Sequence, residues 1–390
     1  MICLLMFTCF VVWVSPPDRA EEGRSPARVT VVATPDGGIQ PQAAIDEQGV
    51  IHLIYFRGEA AGGDLFYARQ GAGEERFSPA LRVNSQPGSA IAIGTIRGGQ
   101  IALGRGGRIH VAWNGSNGAR PKNPFGSSPM LYSRSDEGRG QFEPQRNLMQ
   151  RTSALDGGGT VAADIAGNVY VLWHGRTEDA EPGESGRRMW VARSKDDGAT
   201  FAPEEPAWDR PTGACGCCGT RALADRHGTV HLLYRAATKN VERDIYLLTS
   251  GDHGGHFQGT SVQPWRASIC PMSSASLAES GSGVLAAWEA QGQVYFRRVD
   301  PKSDDASLPV APAGGRGGRK HPAVAGNAQG ETILVWTEGT GWQKGGSLAW
   351  QVFDRLGRPI GPEGRIEGGV PVWGLATVVA RPDGGFTIIH

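Results

Sequence analysis

Short apolar segments recur along the chain, and each of them follows a turn that contains glycine. The seven segments are 51–55, 109–113, 169–173, 230–234, 284–288, 332–336 and 386–389, and all but the last end in an aromatic residue. Glycine allows the positive φ angle that a tight turn between antiparallel strands requires. The pattern therefore predicts a β-hairpin that is repeated along the whole sequence.

A third strand follows six of the hairpins, and a weaker fourth strand comes after it. The third strands are predicted at 64–69, 130–134, 189–194, 244–249, 293–298 and 348–353. Four-stranded antiparallel units that pack radially hide their edges in a β-propeller. We expect an all-β chain with one propeller domain at 28–390, built from seven blades, or six if one unit is irregular. The segment 28–32 is expected to join the last unit, so that the chain termini close the ring.

The composition supports this fold class and excludes one class of partner. Glycine supplies 58 of the 390 residues, about twice its usual share of 7%, as a fold with many tight turns requires. The 39 acidic residues balance the 39 basic residues. Without a net positive field, we expect no nucleic-acid partner.

The N-terminal region begins with an apolar run at residues 2–14, which a polar stretch at 18–28 follows. A run of this length is typical of a secretory signal peptide and is too short for a stable membrane span. We therefore expect a signal segment at 1–20 and a secreted or periplasmic protein. A membrane-anchored protein is the alternative.

Two turns between third and fourth strands carry the pattern Ser-x-Asp-x-Gly-x-x-aromatic. The matching residues are Ser194, Asp196, Gly198 and Phe201 in one copy, and Ser250, Asp252, Gly254 and Phe257 in the next. An aspartate in such a turn accepts backbone N–H bonds, the glycine supplies the unusual φ angle, and the aromatic ring fills the space under the loop. These residues are therefore expected to stabilise the fold.

With these two Asp boxes, the chain resembles the sialidase, or neuraminidase, superfamily of BNR-repeat propellers over nearly all of its expected mature length. The resemblance implies a propeller and, for the enzymes of that family, hydrolysis of terminal sialic acids. Such enzymes use three arginines on the substrate carboxylate, a Tyr/Glu nucleophile pair and an aspartic acid/base. The early Arg-Ile-Pro signature is absent here, and the closing unit offers Trp373 and no tyrosine.

The loops at one face of the propeller are the expected functional region, because there the residues depart from the repeat. Arg97, Arg235 and Arg319 could bind a substrate carboxylate through paired N–H bonds. Asp156, Glu289 and Glu338 could act as acid, base or nucleophile helper. Other residues expected at this channel mouth are Asn114, His174, His321 and Trp373. Each charged residue could instead be a hydrated rim residue, and each histidine could merely cap a strand.

A cysteine cluster precedes the inner strand of the fourth unit at Cys215, Cys217 and Cys218, and Cys270 precedes the inner strand of the fifth. In an exported protein the simplest interpretation is a disulfide between these neighbouring units. A soft metal site for copper or zinc, with Met272 as a further ligand, is the alternative, and free thiols are a third. The sequence requires no cofactor.

Three functions remain open at this point. The first is a glycosidase that acts on terminal acidic sugars. The second is a non-catalytic propeller that binds a glycan or a protein, for which Trp342, Trp350 and Trp373 are candidate contacts. The third is a metal or redox role of the cysteine cluster. A glycan is the expected partner in the first two, and the oligomeric state stays open.

Overall fold

The computed structural model describes residues 27–138, 140–281, 283–299, 308–314 and 317–390. The predicted signal segment, 1–20, lies outside the described residues. Seven separate β-sheets follow one another along the chain and pack as the blades of a propeller. The predicted all-β propeller is confirmed, and its seven blades exclude the six-bladed alternative.

Each blade starts at the central channel and runs outward. The inner strands of blades 1 to 7 are Ile39–Ile45, Gln100–Leu103, Thr160–Ala163, Arg221–Ala224, Ser276–Ser280, Arg319–Gly326 and Thr377–Ala380. The second strands are Ile51–Glu59, Ile109–Asn114, Val169–Gly175, Val230–Arg235, Gly283–Ala290, Thr332–Glu338 and Phe386–Ile389. The third strands of blades 1 to 6 are Gly62–Gln70, Met130–Arg134, Arg188–Ser194, Ile245–Ser250, Gln293–Val299 and Gly346–Phe353.

The outer strands are shorter and less regular than the others. They are Leu81–Arg82, Arg146–Asn147, Glu205–Pro206, Gln258–Gln263 and Pro359–Val370 in blades 1 to 4 and 6. In the described part of blade 5, a single bridge between Phe296 and Val310 takes the place of a fourth strand. Two 3-10 turns, Pro35–Gly37 and Arg105–Gly107, complete the regular elements of the described chain.

The ring closes through both ends of the described chain. Val29–Val32 lies parallel to Phe386–Ile389, with Val29 opposite Phe386 and Val32 opposite Ile389. The backbone N–H of Thr34 also donates to the carbonyl oxygen of His390 at 2.7 Å. The prediction that the termini meet in one closing blade is confirmed.

Aromatic residues near the ends of the second strands form much of the core. Trp113, Trp173, Trp288 and Trp336 are each at most 1% exposed. Core clusters join neighbouring blades, because side chains from adjacent sheets interdigitate in them. Burying each such side chain contributes about 1.5–3 kcal/mol or more, so the contacts between blades hold the ring together.

The first Asp box has the hydrogen bonds that its turn requires. Ser194 Oγ donates to Asp196 Oδ1 at 2.7 Å and accepts from the N–H of Gly198 at 2.9 Å. Asp196 accepts from the N–H of Thr200 at 2.8 Å, and Gly198 has a φ angle of 76°. The ring of Phe201 packs edge-on against Tyr132 of the preceding blade, with 4.8 Å between ring centroids. The turn therefore joins two blades.

The second Asp box repeats this arrangement one blade further on. Ser250 Oγ donates to Asp252 at 2.7 Å and accepts from the N–H of Gly254, which has a φ angle of 75°. Asp252 accepts from the N–H of His256 at 2.9 Å, and Phe257 is buried in the core between blades 3 and 4.

The central channel encloses a cavity of about 430 Å³. Its wall is mostly alanine, leucine and valine from the inner strands. Arg221 crosses the channel at one end of the cavity and donates to the side-chain oxygens of Gln42 and Gln100, on blades 1 and 2. Among the described residues, no helix is long and apolar enough to cross a membrane.

Candidate functional site at the channel mouth

Each of the three arginines that the sequence suggested for substrate binding forms an ion pair with one of the three suggested catalytic carboxylates. The pairs are Arg97 with Asp156, Arg235 with Glu289, and Arg319 with Glu338. The two residues of the first two pairs come from neighbouring blades, and those of the third come from blade 6. The six groups thus neutralise one another, and they do not form one set of free guanidinium groups around a free acid.

Arg97 and Asp156 form the most exposed of the three pairs. The Arg97 guanidinium donates to the Asp156 carboxylate, to its backbone oxygen at 2.5 Å and to the backbone oxygen of Ile93 at 2.6 Å. The side chain of Asp156 is 39% exposed, and that of Arg97 is 17% exposed. A ligand at the mouth can therefore reach this pair.

Arg235 and Glu289 form a buried pair. Arg235 Nη2 lies 2.9 Å from Glu289 Oε2, and the N–H of Gly292 donates to Glu289 Oε1 at 2.8 Å. The Arg235 guanidinium also stacks 4.9 Å above the ring of Trp265. Burial raises the pKa of Glu289, and the charge of Arg235 opposes this rise. Neither side chain is open to a ligand, since both are 3% exposed.

Arg319 and Glu338 belong to a separate network on blade 6. Arg319 Nε donates to Glu338 Oε1 at 3.0 Å, and Trp336 Nε1 donates to the same oxygen at 2.8 Å. Arg365 binds the other oxygen of Glu338. Burial raises the pKa of Glu338, but these hydrogen bonds outweigh it and lower the pKa overall. The carboxylate is therefore ionised and fully engaged.

Asn114 and His174 support the loop that carries Asp156. Asn114 donates to the backbone oxygen of Asp156 at 3.1 Å, and His174 Nε2 accepts from its N–H at 3.3 Å. Burial and the nearby charge of Arg187 lower the pKa of His174 to about 3. His174 is therefore neutral and positions Asp156.

His321, Met272 and Trp373 all have positive φ angles, of 51°, 50° and 63°. Such angles are uncommon outside glycine and cluster at functional sites. The backbone N–H of His321 donates to Ser273 Oγ at 3.1 Å, and burial lowers the pKa of its ring to about 3. The side chain of Met272 is half-buried.

The four cysteines of the described chain meet between blades 4 and 5. Cys217 and Cys270 form a disulfide, and Cys215 and Cys218 are buried thiols. The sulfur of Cys215 lies 3.3 Å from that of Cys217. Burial raises the pKa of Cys218, but a hydrogen bond from Cys215 and the charge of Arg235 outweigh it and lower the pKa to about 6. The hydrogen bond to Cys218 and burial raise the pKa of Cys215.

A frame of charged side chains surrounds the cysteine loop, and the sequence did not single it out. Glu184 accepts from the N–H of Gly216 at 2.7 Å and from Arg243 Nη1 at 2.6 Å. Arg187 lies 3.9 Å from Asp156 and also 3.9 Å from Glu184. Glu184 and Arg187 lie in the loop between the second and third strands of blade 3. The length of this loop, compared with the tight turn of blade 1, is the signal that could have pointed to them.

Two tryptophans form an aromatic surface beside the Arg97–Asp156 pair. Trp342 is 57% exposed and meets Trp373 edge-on, with 4.8 Å between ring centroids. A Cβ atom built on Gly94 would lie 3.6 Å from the Trp342 ring and 2.6 Å from Arg97 Nη1. The loop of blade 6 that carries Trp342 therefore reaches the mouth loop of blade 2. Trp350, the third candidate, packs inside blade 6.

The ring of blades and its Asp boxes define the class of the protein, which is a β-propeller of the sialidase-like type. The NanB sialidase from Streptococcus pneumoniae is similar in structure, with a TM-score of 0.50 at 9% identity over 86% of this chain and 79% of that one. A protein of unknown function from Dyadobacter fermentans has a TM-score of 0.52 at 14% identity, over 81% of this chain and 94% of its own.

A fungal alcohol oxidase in complex with copper has a TM-score of 0.50 at 14% identity, over 90% of this chain and 69% of its own. No protein-family model matches the chain, and no curated protein matches it. At these identities the likeness is one of fold alone, and function has to be argued from the site.

Proposed function

We propose that this protein is an exported, non-catalytic propeller that binds acidic carbohydrate at its channel mouth. The observation that carries the proposal is the exposed ring of Trp342 beside the Arg97–Asp156 pair. A tryptophan face offers a sugar ring a large apolar contact, and a neighbouring ion pair offers hydrogen bonds to its hydroxyl groups. The exposed part of this ring faces water and therefore adds no burial to the fold.

The carboxylates favour binding over hydrolysis. A glycosidase needs one carboxyl group to protonate the leaving oxygen and a second group as base or nucleophile. Here Glu289 is buried against Arg235, and Glu338 is held by two arginines and Trp336. Asp156 is the one suggested acid that a ligand can reach. Hydrolysis of acidic sugars stays a prediction, which the release of sialic acid from reporter glycosides tests.

An excess of positive charge favours an acidic ligand. Around the mouth loop of blade 4, Arg97, Arg187 and Arg243 face two carboxylates, those of Asp156 and Glu184. Arg187 makes the longest of these contacts, at 3.9 Å, so its guanidinium is the one that these carboxylates hold least tightly. Arginine binds carboxylates through two parallel N–H bonds.

Export agrees with the predicted signal segment and with the Cys217–Cys270 disulfide. Disulfides persist in oxidising compartments and are rare in the cytosol. A propeller with this bond is therefore suited to a secreted or periplasmic location, where it would meet glycoconjugates.

The test is a glycan array followed by calorimetric titration with matched acidic and neutral oligosaccharides. We expect Trp342→Ala to abolish binding and Arg187→Met to abolish the preference for acidic over neutral sugars. Leu356→Ala and Arg355→Met are the matched controls, since both residues are exposed on a turn at the opposite face. These controls should bind as the wild type does.

Release of sialic acid from reporter glycosides is measured in the same preparations. If the wild type releases sialic acid and Asp156→Asn does not, the protein is a hydrolase and the proposal of a non-catalytic function is wrong. If wild-type protein neither binds nor cleaves any acidic glycan, both proposals fail.

A further inference from the structure

The sulfur atoms of Cys215, Cys217 and Cys218 share one small volume. They lie within 4.8 Å of one another. A metal ion that binds sulfur at about 2.3 Å requires its sulfur ligands to lie within about 4.6 Å of each other. Three sulfurs in a plane around one ion would lie about 4.0 Å apart, so the sulfurs need to move by less than about 1 Å to share one ion.

The surroundings of these sulfurs suit a soft ion. Cys215 and Cys218 are at most 3% exposed and pack against the buried Ala237. Cys270, in contrast, is exposed at the rim. Among the described residues no further histidine, cysteine or carboxylate completes this cluster, and three thiolates fit the low coordination of Cu(I), whereas structural zinc sites use four ligands.

Two arginines lie close to the thiols, and each of them is also paired with a glutamate. The backbone oxygen of Arg235 accepts from the N–H of Cys215 at 2.9 Å, and the guanidinium of Arg235 acts electrostatically on Cys218. Arg243 interacts with both Cys215 and Cys218. The thiols therefore lie beside two ion pairs and not in a purely apolar pocket.

We propose that the reduced chain holds one Cu(I) ion through Cys215, Cys217 and Cys218, and that the Cys217–Cys270 disulfide closes this site. The disulfide takes one of the three ligands away and leaves two thiols. A dithiol reductant supplies two electrons and two protons, which convert the disulfide to two thiols while the reductant becomes a cyclic disulfide. The Cu(I) ion then replaces the protons of three thiols.

The experiment titrates Cu(I) into the full chain under anaerobic conditions, in competition with a coloured Cu(I) chelator. Reduced, desalted wild type should take one equivalent of copper from the chelator and gain a sulfur-to-copper charge-transfer band in the near ultraviolet. Oxidised wild type should leave the copper with the chelator. Cys215→Ser and Cys218→Ser should lose the copper even when they are reduced.

Cys270→Ser is the decisive variant, because it frees Cys217 without any reductant. It should bind copper equally well before and after treatment with a dithiol. Absence of binding by reduced wild type, full retention by Cys215→Ser, or no binding by Cys270→Ser would each overturn the proposal. Circular dichroism verifies that each variant is folded, and the outcome is independent of carbohydrate binding at Trp342.

Discussion

Arg235 and Glu289 connect blades 4 and 5 through a contact of 2.9 Å between two side chains that are each 3% exposed. The residue pair thus joins the second strands of two adjacent sheets at the end that faces the channel mouth. A buried ion pair costs desolvation energy, which its own attraction and further hydrogen bonds must offset. The N–H of Gly292 and the ring of Trp265 supply such contacts here.

Removing one residue of this pair should therefore destabilise the folded protein. We expect Arg235→Met to lower the free energy of unfolding by about 3–5 kcal/mol, because it leaves a buried carboxylate without its counter-charge. The double variant Arg235→Met/Glu289→Leu should recover most of this loss. Denaturant unfolding measures both values. Arg57→Met, which breaks an exposed pair with Asp36, is the control and should cost about 1 kcal/mol or less.

The first Asp box should stabilise the fold only while Asp196 is ionised. Burial raises the pKa of Asp196, but hydrogen bonds from Thr200 and Ser194 outweigh it and lower the pKa to about 2. A carboxyl group with a lowered folded-state pKa stabilises above its unfolded pKa and loses this effect as the pH falls. The wild type should therefore melt above Asp196→Asn at neutral pH.

This difference in melting temperature should disappear between pH values of about 4 and about 2. Asp209→Asn, an exposed change outside the boxes, is the control and should show a smaller difference at neutral pH. If the difference in melting temperature between the wild type and Asp196→Asn stays constant down to pH 2, the charge of this carboxylate does not stabilise the turn.

His174 should make the fold sensitive to mild acid. Its folded pKa of about 3 lies below the ordinary value of 6.5, so the unfolded chain binds a proton that the folded chain does not. The free energy of unfolding should therefore have its full value above about pH 6.5. Below this pH it should fall by up to about 1.4 kcal/mol per pH unit. His174→Gln should reduce this slope in unfolding experiments at pH 7 and pH 5. His256→Gln, at an exposed ring, is the control.

Arg221 should be replaceable without loss of stability. Among the described residues it has no carboxylate partner, and its Nε has no hydrogen-bond partner. Burial lowers the pKa of its guanidinium to about 10, so the group stays charged at neutral pH while the desolvation of this charge costs free energy. Arg221→Met should keep or raise the free energy of unfolding. Arg108→Met, which removes the partner of Asp197 at 2.5 Å, should lower it and serves as the matched control.

The fold could be predicted because short local sequence patterns specify each repeat. The turns and second strands of each blade follow from glycine and apolar spacing, and the predicted segment 386–389 coincides with the observed strand Phe386–Ile389. In the described part of blade 5, a single bridge takes the place of the fourth strand, and this could not be predicted because outer strands carry little apolar signal. The repeat thus predicts the number of blades and their inner strands, but it does not predict the outer strand of each blade.

The candidate site was harder to predict, because the repeat places loops but not side chains. The repeat placed Arg97 and Asp156 at the same channel mouth. It could not predict the rotamers that bring the two side chains into an ion pair. Adjacent blades implied a disulfide to Cys270, but the sequence could not choose Cys217 over its two neighbours. Arg187 lies in a loop without periodicity, so only the length of that loop departs from the repeat and could have pointed to it.

The parallel pairing of Val29–Val32 with Phe386–Ile389 also bears on how the chain is made. The two segments lie at opposite ends of the described sequence, so a nascent chain that lacks the second one cannot seal the ring. Until then, the flanks of blades 1 and 6 that face blade 7 are open to water and to other chains. Contacts this distant in sequence also form slowly. Apolar flanks that attract other chains therefore stay uncovered until Phe386–Ile389 has emerged and paired.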